Sequence, residues 1–222
     1  MNWLRSSGRV AVAEEIKAPF LSYEQIRRAA DAFLTRHHRS RKLPIPIEEI
    51  IELQLAIHIV PLPGLQETFG IEAFTTSDRR EIYVDNFVCT RRFRRYRFSL
   101  AHEVGHMSLH QDLYDAARFR SVKEWKRFIT EFPAEEYTWF EYQAYSFAGL
   151  VLVPSRDLAL HAERAARTAL RHRIDLHDDV AWEYIADHIS DAFAVSKDVI
   201  QRRLIKDGIR NVAWLKDRGL MR

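Results

Sequence analysis

Apolar residues in this chain recur mostly at three- and four-residue spacing, the period of helices buried along one face. Residues 22–35 show it first: Ile26, Ala29, Ala30 and Phe33 share one side, and Ser22 stands where an N-cap belongs. A basic stretch, 36–42, and the prolines Pro44 and Pro46 then read as a linker, followed by a short helix over 47–55. Ile57-His58-Ile59-Val60 is strand-like and closed by Pro61 and Pro63. Segments 70–76 and 81–85 alternate apolar and polar residues across the polar turn Ser77-Asp78-Arg79-Arg80, a hairpin signature. Helical periodicity returns over 90–110, 121–132, 138–153, 155–172 and 180–204. The pattern predicts an α+β chain, mainly helical, with a small antiparallel three-stranded sheet beside the 90–110 helix and segment 70–76 as its free edge. Residues 1–18 read as a tail, 19–172 as the main domain and 173–222 as a C-terminal helical segment.

Composition narrows the class. The chain has 222 residues, 47% of them hydrophobic, enough for one domain with an appendage. It lacks an apolar run of the roughly 20 residues that a membrane-spanning helix needs. The first dozen residues carry arginines but no apolar stretch or cleavage pattern, so no signal peptide is expected. A single cysteine, Cys89, excludes an internal disulfide and points to a cytoplasmic protein. The formal charge of +3 does not by itself call for a nucleic-acid partner.

The chemistry is concentrated in His102-Glu103-Val104-Gly105-His106. This is H-E-x-x-H, which on a helix sets two imidazoles one turn apart on one face. Both can ligate one zinc ion at about 2.0–2.1 Å. Glu103 projects to the flank, where it can take a proton from water without ligating the metal. Val104, Met107 and Leu109 continue an apolar face, so the helix is packed, and Gly105, a poor helix former, suggests that something approaches closely there. His110 is a poor third ligand, since it lies about 12 Å along the axis from His102. A supporting or helix-end role, where a cation is favoured, suits it better. A third ligand must come from another helix. Glu141 is a candidate because Ala144 and Ala148 make its helix small-sided; Glu131, Glu135 and Glu136 are rivals in the same acidic stretch, placed around Pro133.

Two blocks together resemble the ImmA/IrrE metallo-endopeptidases. Arg97 to His106 with Leu109-His110 looks like that family's active-site helix, and Glu141-Tyr142-Gln143-Ala144, Phe147-Ala148 and Leu150 to Pro154 look like its second block. The likeness spans roughly residues 40–205. It implies a zincin-like metallopeptidase domain, zinc held by His102, His106 and Glu141, Glu103 as catalytic base, and a protein substrate. In the family that substrate is typically a helix-turn-helix repressor, cleaved in stress response or prophage induction. The chain departs from the family at Tyr145, where Asn or Asp is common. A short polar residue there would orient a metal-binding histidine, and Tyr145 has only its hydroxyl for the task.

Two further features invite partners. Arg91, Arg92, Arg94, Arg95 and Arg97 are interleaved with Phe93 and Tyr96. They read as solvated first turns of the long helix more readily than as an anion or nucleic-acid patch or an acidic-substrate face, although arginines near a helix N-terminus call for carboxylate partners. The segment 189–204 resembles a helix-turn-helix, yet Asp187, Asp191 and Asp198 would repel phosphates and Ala194 stands where a turn glycine is usual. A helical pair packed on the catalytic domain is the stronger reading. The leading expectation is a cytoplasmic zinc endopeptidase. The alternatives are a regulatory protein binding DNA or a repressor with a sensory or vestigial zinc site, and a toxin-like partner acting by association alone.

Overall fold

The computed structural model of the chain describes residues 17–117 and 119–221. Of the expected tail, residues 1–16 lie outside the described residues; Ala18 donates its backbone N–H to Glu136 Oε2 at 2.7 Å. Helix α1 (Tyr23–His37) starts where the polar signal places it. The Ser22 hydroxyl accepts from the Gln25 N–H at 3.3 Å, and the Gln25 side chain accepts from the Ser22 N–H at 2.8 Å. Helix α2 (Ile47–Glu49) runs into a π-helical turn, Ile50–Gln54, that buries Ile50 and Ile51.

The sheet comprises β1 (His58–Leu62), β2 (Ala73–Thr75) and β3 (Glu81–Asp85), with α3 (Leu65–Phe69) between the first two. Its order is β1-β3-β2. The hairpin β2-β3 is antiparallel as expected, but β1 pairs with β3 in parallel, His58 opposite Glu81 and Leu62 opposite Asp85. The sheet is therefore mixed, which corrects the expectation of a wholly antiparallel one. The chain leaves β1 through α3, passes to the far side and returns through the centre, so β3 runs in the direction of β1. Pro61, expected to end the first strand, lies inside it, where an edge position tolerates the missing N–H.

The expected helix over 90–110 is two helices, α4 (Asn86–Arg91) and α5 (Phe93–Leu109), broken at Arg92 (φ −131°, ψ 59°). The Asp85 carboxylate starts α4 early by accepting from the Phe87 and Val88 N–H groups at 2.9 and 3.2 Å. There follow α6 (Gln111–Ala116), α7 (Val122–Thr130), α8 (Ala134–Leu152), α9 (Ser155–Arg171), α10 (Asp179–Phe193), α11 (Lys197–Lys206) and α12 (Val212–Asp217). Helix α8 begins a turn before the apolar periodicity does, after Pro133.

One apolar core joins Ile26 of α1, Ile82 of β3, Leu100 and Val104 of α5 and Phe147 of α8. It continues through Ile185, Phe193 and Ile200 to Leu215 and Leu220, so the described part of the C-terminal segment, residues 173–221, packs on the same core as the rest. A second cluster, with Phe74, Tyr114, Phe119, Trp125 and Phe140, lies over the end of α5. Among the described residues no helix is long and apolar enough to cross a membrane.

Candidate metal centre and its cleft

The site forms where α5 and α8 cross. Gly105 makes the crossing close: a Cβ there would stand 2.9 Å from the Ala144 carbonyl oxygen and 3.0 Å from its Cα. Backbone thus lies on backbone, and Glu141, three residues before Ala144, reaches the two imidazoles of α5. His102 Nε2 is 2.9 Å from His106 Nε2, and the Glu141 carboxylate is 3.3 Å from the first and 3.5 Å from the second. Ligands at about 2.0–2.1 Å around a tetrahedral ion lie roughly 3.3–3.4 Å apart. One atom from each of these three residues falls within 4.8 Å of the others, and the group is compatible with one metal ion. His106 is buried while His102 and Glu141 are partly open to the cleft. Three donors with one open side would leave a position free on a metal held there. The rivals Glu131, Glu135 and Glu136 stand elsewhere, at the end of α7 and the start of α8.

The donor chemistry also fits. The Pro19 carbonyl can only accept, so the Gln143 amide gives it an N–H (2.6 Å) and turns its oxygen to His110 Nε2 (3.1 Å). His110 Nε2 therefore carries the proton, and its Nδ1 accepts from His106 Nδ1 at 3.1 Å. That leaves the His106 Nε2 lone pair aimed at the cluster. Two imidazole nitrogens facing each other this closely need a proton or a cation between them. Phe140 stacks on His106 with ring centroids 4.0 Å apart and closes that side to water.

His110 is the C-cap of α5, but it is no cation there: burial and the neighbouring His106 push it down to about 3. Burial opposes the charge on Glu141, yet the imidazoles of His102 and His106 beside it outweigh that and hold the carboxyl far below the usual range. For His102, burial favours the neutral ring, but Glu141, Glu103 and Glu72 raise it overall. Glu103 is buried beside the group and accepts from the Thr75 hydroxyl at 2.8 Å. Tyr137, one turn before Glu141, is pushed up to about 12 by burial, the Glu141 charge and a hydrogen bond to that carboxylate. Thr75 and Tyr137 carry no motif, and Gln143 stands in the second block without a role of its own. Only the alternation of β2 and the helical spacing around Glu141 could have drawn attention to them.

A cleft of about 920 Å³ opens over the group, bordered by Ala73 of β2, Trp125 of α7, Tyr145 of α8 and Val199 of α11. Tyr145 makes no hydrogen bond to an imidazole among the described residues; it packs on Phe98 (4.7 Å) and lies under Arg202 (5.4 Å). The arginine cluster is mostly structural. Arg94 pairs with Asp191 and donates to Ser190 Oγ at 3.2 Å. Arg97 is buried and donates to the Ile45 and Ala194 carbonyls at 2.7 and 3.3 Å. Arg95 pairs with Glu72. The carboxylate partners that a helix N-terminus demands are therefore Asp191 and Glu72. The turn between α10 and α11, with Ala194 in the left-handed region (φ 50°), is held against α5, and Ser196, Asp198 and Arg202 border the cleft.

No curated protein sequence matches this chain. A solved structure of a Mycobacterium tuberculosis transcriptional regulator shares the fold, with a TM-score of 0.52 at 15% sequence identity. The match covers 82% of this chain and 46% of that one, so the chain spans less than half the length of that neighbour. The family model of peptidase M78, described as the IrrE N-terminal-like domain, matches residues 54–205, which hold the sheet, both halves of the candidate metal centre and nearly all of α11. With more than half of its length so matched, the chain belongs to the IrrE N-terminal-like (ImmA/IrrE, peptidase M78) family.

Proposed function

We propose that this protein is a zinc-dependent endopeptidase acting on a protein substrate, with His102, His106 and Glu141 as metal ligands and Glu103 as catalytic base. The observation that carries the reading is the convergence of those three side chains within 4.8 Å, with one side facing a cleft. Zinc suits a nitrogen- and oxygen-donor set of this size and, when bound, would acidify water and polarise a carbonyl. Glu103 takes the proton of the attacking water and passes it to the leaving amine. Thr75 holds the Glu103 carboxylate in place. Tyr137 keeps its phenolic proton at neutral pH and serves as a donor to the oxygen that gains charge.

The substrate lies extended along β2. Thr76 N–H donates to the Glu81 carbonyl and Asp85 N–H to that of Glu72, so Ala73 and Thr75 turn their backbone groups away from β3; Ala73 borders the cleft, and Thr75 is buried behind it. A helix-turn-helix repressor is the substrate class we assign, in the setting of stress response or transcription regulation. A single, half-buried cysteine suits a cytoplasmic protein. DNA binding through α11 is the weaker reading, because the start of that helix borders the cleft.

Purified protein loaded with zinc and incubated with a repressor encoded beside it should yield one discrete cut by mass spectrometry. Glu103→Gln should still take up about one equivalent of zinc and lose cleavage by roughly a thousandfold or more. A variant cutting at the wild-type rate would remove Glu103 from the mechanism.

A further inference from the structure

The cleft extends beyond the metal centre along the first turns of α5. Arg92 and Arg202 border this arm, both exposed. Neither has a carboxylate partner among the described residues. Instead Arg92 lies over the Phe87 ring (5.2 Å) and Arg202 over Tyr145 (5.4 Å). The other two arginines of the arm are neutralised, Arg94 by Asp191 and Arg95 by Glu72. Asp198 is the opposing carboxylate, so the arm presents two uncompensated guanidinium groups to one acid. Aromatic support holds a guanidinium plane in place and leaves its N–H fork free for a carboxylate.

The arm has a direction. Glu72, before β2, contacts Arg95 and Ser99, whereas Thr75, at its end, contacts Glu103. Strand β2 therefore runs from the arginine arm toward the metal centre. A peptide antiparallel to β2 runs the opposite way, so the residues in the arm follow the scissile bond. Phe98, which packs on Tyr145 beneath Arg202, lies about 6 Å before His102 along α5, and Arg92 about 15 Å before it. At about 3.3 Å per extended residue, these are two to five residues of substrate.

We propose that the arginine arm of the cleft is a subsite for a carboxylate side chain, Asp or Glu, at the third to fifth residue after the scissile bond, bound by Arg92 and Arg202. The proposal rests on the peptidase reading and adds a substrate preference to it. A nucleic acid fits less well: its phosphates would meet Glu72, Asp198, Glu103 and Glu141 along the same cleft.

The test uses the full chain loaded with zinc. The probes are peptide amides whose N-terminal mercaptoacetyl group ligates the metal and fixes the register, followed by Leu-Ala and then Glu, Gln or Lys at the third, fourth or fifth residue. In low salt the tightest Glu peptide should bind about tenfold better than its Gln counterpart, with Lys weaker still, and the gap should close as ionic strength rises. The double variant Arg92→Gln/Arg202→Gln should bind Glu and Gln peptides alike, with zinc content and affinity for the Gln peptide unchanged. Equal binding of Glu and Gln by wild type, or a Glu preference that survives in the double variant, overturns the proposal. So does a preference confined to peptides bearing the thiol at their C-terminal end, or displacement of the peptides by a single-stranded oligonucleotide. Failure to take up zinc overturns the peptidase reading and this one with it, whereas a Glu preference without any cleavage overturns the peptidase reading alone.

Discussion

At the scale of single residues, Gln143 is a fully buried amide placed between a backbone carbonyl and a histidine. Its two ends are not interchangeable, because the carbonyl accepts only. The orientation of one amide thereby sets the tautomer of His110 and, through it, which nitrogen of His106 presents a lone pair. Gln143→Leu should keep the fold but release this order. Zinc affinity, measured by competition with a chromophoric chelator, should drop about 10- to 100-fold. Long-range nitrogen–proton spectra of the zinc-free wild type should show His106 protonated at Nδ1 and His110 at Nε2; the opposite pair would disprove the assignment. Both imidazoles of the motif were legible from spacing alone. Gln143 was not, since its role depends on the Pro19 carbonyl, 124 positions away in the chain.

At the scale of elements, the contact between α5 and α8 brings His102, His106 and Glu141 together. A methyl group at Gly105 would meet the backbone of Ala144, which no rotamer change can relieve. Gly105→Ala gains about 1 kcal/mol of helix propensity, against an overpacking cost of roughly 1–3 kcal/mol. The variant should lose thermal stability modestly and zinc affinity by a larger factor, as α8 is pushed from α5 and Glu141 leaves its imidazole partners. Unchanged metal affinity would show that the crossing distance does not govern the site. Periodicity located these helices well, and the glycine in an otherwise packed helix was itself a sign of a close neighbour. Periodicity did not find the break at Arg92 or the parallel pairing of β1. The early start of the helix depends on the Asp85 cap, the parallel pairing on the route the chain takes through α3, and neither alters the apolar pattern.

At the scale of the whole molecule, the C-terminal helices are bound to the rest through a buried polar staple as well as through the shared core. Arg203 donates to the carbonyls of Gly149 and Val153 at the end of α8, to Ser155 Oγ at 2.9 Å and to Asp207 at 2.7 Å; Tyr23 and Arg27 of α1 reach the same carboxylate. Burial pushes the Asp207 carboxyl up, but Arg203 and Arg27 beside it outweigh that and hold it below the usual range. Its contribution to stability is thus complete above the unfolded value of about 3.9 and is lost as pH falls through the lower folded value. Asp207→Asn should cost about 3 kcal/mol near neutral pH by leaving Arg203 buried without its counter-charge. The gap in melting temperature between wild type and variant should narrow as the pH is taken below about 4. A gap that stays constant, or widens, on acidification would exclude a charged Asp207 as the origin of the effect.

The candidate metal-binding motif and most of the elements are legible along the chain. Two histidines and a glutamate at helical spacing are a local pattern, and helix and strand periods are local as well. Only the tertiary structure decided which of four glutamates completes the group, how the first strand pairs, and that Arg94, Arg95 and Arg97 serve the fold while Arg92 and Arg202 face the cleft. The physical reason is the same throughout. A ligand set, a mixed sheet or an uncompensated charge is defined by groups distant in the chain and adjacent in space, and adjacency follows from how closely helices pack.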